Sequence, residues 1–244
     1  IVDSFSKLEA GLNQFKALTG DINGGLPLLN AQAAQFKSEV LEIASNSKFA
    51  ASEIVEAATE MGKMGFTTDQ VSNSMKTIVT AAEATGESLG TVAATVSATL
   101  NQFDMDRTAA NVQKVTDEIS YVANKTAASF SSISEALKGI GPIAQGTGQS
   151  LHSVVGMLGF MADRGLTGSN SMTVLSNMML RLSKQTPEAA KMMKLLGVSA
   201  LDAGGNARPL EQVLIDIAKA TKPLGSGMKT AAQEVIFGKY AMKG

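Results

Sequence analysis

Leu29–Met61 reads LNAQAAQFKSEVLEIASNSKFAASEIVEAATEM, and its spacing decides the fold class. Leu29, Ala33, Phe36, Val40, Ile43, Ser47, Ala50, Ile54, Ala57 and Met61 recur in alternating steps of four and three residues. Such steps keep one stripe of an α-helix facing a partner, the arrangement of a heptad seam. Most of the stripe is small or β-branched, so a second helix can approach closely. Phe36, Val40, Ile43, Ala50, Ile54, Ala57 and Met61 are the candidate helix-association seam, through which copies of the chain pack on one another. A long amphipathic helix lying on a domain surface gives the same pattern, and both readings stand at this point.

Beyond Met61 the stride shortens, and helix start and stop signals alternate. Gly62 and Gly65 can end the long helix, and Thr67 with Gln70 fits a capping box for the next. Gly86 stops that helix, and Ser88 caps another that ends near Phe103. Asp104 or Asp106 caps a helix through about Lys125. Ser131 or Ser132 opens a shorter one, ending by Gly139-Ile140-Gly141-Pro142. Ser150 starts the next and Gly165 closes it. Thr167 or Ser169 leads one to about Lys184. Thr186-Pro187-Glu188 supplies a capping hydroxyl, a proline at the first helical position and an acid at the dipole's positive end. Gly197 ends that helix, Asp202–Asn206 reads as a turn, Pro209 opens another helix, and Pro223–Gly227 precedes the last. The count is about ten helices and no strand. The expected fold is all-α: a long N-terminal heptad-like helix followed by a compact multi-helix bundle. Residues 1–62 hold an N-terminal helix, a Gly-rich break at Gly20–Gly25 and the heptad helix. Residues 63–244 form the compact helical domain.

Composition narrows the chemistry. The chain has 244 residues, 21 basic and 22 acidic side chains, and a formal charge of −1. That balance argues against a nucleic-acid coat or a polybasic membrane-surface binder, both of which need clustered positive charge. The absence of cysteine excludes disulfides, thiol catalysis and thiolate-held metals. The single histidine, His152, removes multi-histidine sites. Thirteen methionines outnumber the eleven aromatic residues, so the core is aliphatic and adaptable. The chain starts at Ile1 without an initiator methionine or signal-like segment and reads as an excised piece of something longer. Its longest uncharged stretch, Gly139–Ala162, is broken by glycines, Pro142 and polar groups. It reads as a buried turn and helix, since a spanning helix needs about 20 apolar residues in succession.

The remaining polar constellations have structural explanations. Glu53, Glu56 and Glu60 share a helix face with nothing to desolvate them. Asp104 and Asp106 suit a helix start, and Asp117-Glu118 a mid-helix surface beside Lys114 and Lys125. Gly225–Thr230 lacks the glycine placement and the leading strand of a phosphate loop. Gly139-Ile-Gly141 and Gly146-Thr-Gly148 follow no strand and read as turns. No nucleophile, base and orienting group come together. No catalytic, cofactor-binding or metal-ligating residue is therefore assigned, and the chain does not read as an enzyme.

One ordered series of short motifs remains. Met64–Val71 (MGFTTDQV) is followed by Ala81–Leu89 (AAEATGESL), Leu100–Phe103 (LNQF) and the Asp117 helix. Leu137–Pro142 (LKGIGP), Gly148–Leu151 (GQSL) and Met161–Ser169 (MADRGLTGS) come next. Leu195–Val198, Arg208–Leu210 and Phe237-Gly238 close the series. From about Ala50 onward this order resembles the folded region of bacteriophage tail tape measure proteins of the siphophage and prophage minor tail type. Ser171-Met172-Thr173 departs from the Ala-Gly-Thr common there, which bears on local helix packing alone.

The resemblance implies a structural protein that sets tail length inside the tail tube during assembly and later takes part in genome delivery. It implies location in the tail lumen of the virion, and in the host cytoplasm during assembly. It also implies self-association as a homo-oligomer, with a trimer as the candidate stoichiometry, and tail tube proteins and tail assembly chaperones as partners. No cofactor and no specific nucleic-acid binding follow from it. Two alternatives remain at this stage. One is a membrane-active segment, with Gly139–Gly168 as the candidate for transient membrane contact during ejection. The other is a helical scaffold unrelated to phage.

Overall fold

The computed structural model describes residues 2–19 and 25–241. Gly20–Gly24, and with them most of the Gly-rich break expected at Gly20–Gly25, lie outside the described residues. Among the described residues there are twelve α-helices and no strand. One isolated bridge joins Leu201 and Ala207. The chain divides into two compact units, one ending at Ser120 and the other beginning at Tyr121.

The first unit contains α1 (Val2–Thr19), α2 (Gly25–Ser45), α3 (Ala51–Lys63), α4 (Thr68–Thr85), α5 (Leu89–Gln102) and most of α6 (Ala109–Lys125). The helix α3 is its centre, packing on α1, α2, α4 and α5. Two glycines let α1 and α3 close on each other. A Cβ on Gly11 would stand 2.8 Å from Val55 Cγ1, and one on Gly62 would stand 2.6 Å from Thr19 Cγ2. Gly62 therefore lies inside the helix as a contact point and does not end it. The stop is Gly65, whose φ of +89° is the left-handed conformation that glycine adopts without strain. Thr19 and Thr68 share a buried hydroxyl hydrogen bond of 2.9 Å, and the rings of Phe15 and Phe36 stack with centroids 4.2 Å apart.

The expected long heptad helix is two helices. The chain leaves α2 at Ser45, turns through Asn46–Phe49, and starts α3 at Ala51. Asn46 Nδ2 donates to the Glu42 carbonyl at the end of α2. The Glu53 carboxylate accepts the Ala50 N–H at 2.8 Å at the start of α3. Both new helix ends thus find partners for backbone groups the break releases. The helix α3 packs against α4 and α5 as well as α1 and α2, within the unit that ends at Ser120.

The second unit contains α7 (Phe130–Gly146), α8 (Leu151–Ala162), α9 (Gly168–Ser183), α10 (Pro187–Leu195), α11 (Leu210–Thr221) and α12 (Ser226–Ala241). The broadest pairing is α7 on α9, with α12 on α9 and α10, and α8 on α7, α9 and α11. Gly139 sits where α7 meets α9: a Cβ there would lie 2.2 Å from Met172 Sδ. Pro142 does not end α7, which continues to Gly146. Proline restricts its predecessor through a clash with that residue's Cβ. Gly141 has none, and the helix passes through.

Several expected caps stand as read. Thr67 and Gln70 form the capping box, Gly86 is the left-handed stop of α4, and Ser88, Ser150 and Thr186 each accept a first-turn N–H. Others shift. Ser129 caps α7, and Ser132 closes a reciprocal box with it. Thr108, not Asp104 or Asp106, accepts the Asn111 N–H at the start of α6. Asp104 occupies a left-handed turn position at φ +52°.

Candidate interaction surfaces

The seam residues Phe36 and Val40 on α2, and Ile54, Ala57 and Met61 on α3, are all buried within the first unit. Ile43 is half-buried and Ala50 exposed. The stripe divides at the break between α2 and α3, and Phe36, Val40, Ile54, Ala57 and Met61 are covered by helices of the same chain. The candidate seam is thus filled, within this chain, by side chains of its own helices. Heptad spacing records which side of each helix turns inward, and here the inward partner is intramolecular.

The polar constellations stay dispersed. Glu53 is the first-turn partner of Ala50, Glu60 pairs with Lys63 at 2.7 Å, and Glu56 is exposed. Asp117 accepts from Gln113 at 2.7 Å along the exposed side of α6. Gly225–Thr230 enters the first turn of α12, where Lys229 N–H donates to the Gly225 carbonyl. Among the described residues, no three or more His, Asp or Glu side chains gather as a metal set.

One carboxylate is electrostatically distinct. Asp202 accepts from the Asn206 backbone N–H at 2.8 Å, from the Asn206 side-chain amide, and from the Gly204 N–H at 2.9 Å. These donors, Asn206 foremost, hold its pKa below the ordinary 3.8. The turn they close lets Arg208 reach the Ser199 carbonyl at 2.8 Å and pair with Asp216 at 2.6 Å. Gln149 links the same region to the end of α7. Its amide donates to the Arg208 carbonyl at 3.1 Å, and its carbonyl accepts the Leu210 N–H at 2.8 Å. These bonds hold α11 in place beside α8.

Between α8 and α11 lies an apolar groove of about 470 Å³, open to solvent and lined by Gly156, Met157, Phe160, Leu214, Ile215 and Ala218. His152, Ser153 and Glu211 stand at one end, where Ser153 Oγ donates to the Glu211 carboxylate. Phe160 and Ile215 are large apolar side chains about half exposed. Sequence reading missed this groove. Its signal was a second apolar stripe on α11, Leu214, Ile215 and Ala218, beside the buried stripe of Leu210, Val213 and Ile217.

The stretch Gly139–Gly168 contributes Ile140, Ala144, Leu151, Val154, Val155 and Leu158 to the core of the second unit. No helix of the described residues is long and apolar enough to cross a membrane.

Comparison with known proteins gives two kinds of likeness. The profile of the family described as phage-related minor tail protein matches residues 37–238. The chain is 25% identical over 232 residues to the tape measure protein of Pneumococcus phage Dp-1, covering 95% of this chain and 20% of that protein. It is 26% identical over 214 residues to the probable tape measure protein of Escherichia phage P2, covering 87% of this chain and 26% of that protein. The chain thus spans about a fifth to a quarter of the length of these relatives. No solved structure matches.

Proposed function

The chain belongs to the phage-related minor tail protein family, and from that premise we propose that it is a folded segment of a tape measure protein. In this reading it acts in tail assembly and length determination inside the tail tube, and later in genome delivery. The observation that carries the reading is the alignment of nearly the whole chain with two proteins named for that role. Neither name describes an enzyme, which supports a structural part. A phage tail family also leaves no place for the scaffold unrelated to phage.

The fold refines what such a segment contributes. A ruler made of one continuous helix adds about 1.5 Å for each residue. Here α2 and α3 are separate and pack with α1, α4 and α5. Residues of these units therefore contribute through packing, and uniform length is carried by other regions of such a protein. The units are docking modules, with tail tube proteins and tail assembly chaperones as their partners. The site of action is the tail lumen, reached from the host cytoplasm during assembly. Membrane contact through Gly139–Gly168 would require the second unit to open, because that stretch supplies its core.

Electron microscopy of tails made with two deletions tests this. One removes seven residues between Phe36 and Ile54, the other seven between Val154 and Leu175. Both are expected to give missing or misassembled tails, since each removes core partners. Tails shortened in proportion, by roughly 10 Å for seven residues at the helical rise, would overturn the docking-module reading. Unchanged tails from both would overturn the tape measure assignment.

A further inference from the structure

We propose that the second unit carries a surface that binds double-stranded DNA through its phosphates, without reading sequence. The formal charge of −1 averages over two units of opposite sign. Residues 1–120 hold 8 basic and 15 acidic side chains, a net −7, while residues 121–244 hold 13 basic and 7 acidic, a net +6. Much of the positive excess sits on one group of helices, since α12 packs on both α9 and α10. These three helices, with the residue that caps α9, carry Arg181, Lys184, Lys191, Lys194, Lys229 and Lys239. Their acids are Glu188 and Glu234 alone. All six cations are exposed. Lys239 stands 3.8 Å from Glu234; among the described residues the other five have no acidic partner.

Helix stability does not account for these cations. Lys229 stands in the first turn of α12, where the helix dipole disfavours positive charge. The Arg181 guanidinium lies against the backbone of Gly238, its Cζ 2.6 Å from where a Cβ would stand, one residue before Lys239. Gly238 leaves helical geometry at φ +74° and ψ 167°, a conformation open essentially to glycine alone. The backbone thus seats one cation near another on the neighbouring helix, an arrangement an anion would relieve. Duplex DNA presents one phosphate charge about every 1.7 Å of its length, so it can meet cations spread over several helices at once. Composition selects it over other anionic partners. Five of the six cations are lysines, which are depleted from protein–protein interfaces and meet phosphate as point charges. Single strands are held by stacking bases on aromatic rings, and neither α9 nor α10 contains an aromatic residue.

Fluorescence anisotropy of a labelled DNA duplex of about 20 base pairs, titrated with the 244-residue chain, tests the proposal. Binding is expected in the low micromolar range at about 50 mM salt. With about four cations on phosphates, it should weaken roughly a hundredfold by about 200 mM. Lys191→Gln combined with Lys194→Gln keeps helix propensity and removes two contacts. That pair should weaken binding by roughly tenfold or more and lower the salt slope by about 1.8. Lys76→Gln combined with Lys114→Gln makes the same charge change on the acidic first unit, and should leave binding within about twofold of the unaltered chain. A duplex left free at about 50 mM salt and about 100 µM protein would overturn the proposal. Equal losses from the two pairs would overturn it too, by tracing the effect to net charge. Poly-glutamate that displaces the duplex as readily, charge for charge, would overturn it in favour of an acidic protein. The proposal does not rest on the tape measure reading, whose own test is the length of tails.

Discussion

Ile43 and Ile54 both belong to the heptad stripe, and the fold treats them differently. Ile54 is fully buried on α3, the helix that packs on α1, α2, α4 and α5. Ile43 is half-buried near the end of α2. Ile54→Ala removes three carbons from a closed core, a change that costs about 2–5 kcal/mol through lost transfer energy and the cavity left behind. With a urea dependence of about 2 kcal/mol per molar, the unfolding midpoint of the first unit should fall by about 1–2.5 M. Ile43→Ala leaves a site water already reaches, so its loss should be well under half as large. The assay is urea unfolding followed by dichroism at 222 nm, with the mass of each variant measured in parallel. An intermolecular seam predicts something else: comparable effects at both positions, a fall in oligomer mass, and no change in the midpoint extrapolated to monomer. That outcome would refute the intramolecular packing described here.

Other substitutions probe single contacts. Gly139→Leu forces a side chain into the space held by Met172, and overpacking of this kind costs about 1–3 kcal/mol; combining it with Met172→Ala should return part of the loss in thermal melts. Gln149→Leu leaves the buried Leu210 N–H unpaired, at a cost of about 1–3 kcal/mol, and hydrogen exchange of that amide should accelerate. Asp202 has a folded pKa below its unfolded value, so its contribution to the Asp202–Asn206 turn is complete above the ordinary 3.8 and is lost as pH falls through the folded pKa. A carboxyl titration followed by NMR should place its midpoint below that of an unstructured aspartate, and a midpoint at or above the ordinary value would contradict the hydrogen-bonded turn.

Signals that act within one helical turn were readable from the chain alone. The pairing of Thr67 with Gln70, the proline after Thr186, and the left-handed glycine at position 86 each depend on residues three or four apart. No tertiary partner is needed to place them. The break at Asn46–Phe49 was not readable because the heptad steps run straight through it. Ser47 and Ala50 keep the spacing although neither lies on a helix. The cap of α3 is an alanine, helped by Glu53 from behind, so no capping hydroxyl announced it. Pro142 misled in the opposite direction: the helix runs through it to Gly146 although proline supplies no N–H. The direction of the seam was legible as an inward face. Its partner was not, because periodicity is the same whether the covering helix comes from the same chain or another. The groove on α8 and α11 escaped notice for a related reason: a helix apolar on two sides blurs the single stripe that periodicity seeks.

The pairing of helices close in sequence has a kinetic consequence. In the first unit α1, α2 and α3 meet one another, and α4 and α5 join α3. Contacts made over short stretches of chain need little loop closure, so such topologies fold quickly. The first unit therefore has all of its core partners by residue 120, while a ribosome is still adding the second. At about 5–20 residues per second during synthesis, several seconds separate the two. Phe15, Phe36, Ile54 and Met61 can be covered before the next apolar helices emerge. Relatives roughly three to five times as long share this region. In a chain of that length, a nascent segment that closes over its own apolar side chains removes one opportunity for aggregation before synthesis has finished.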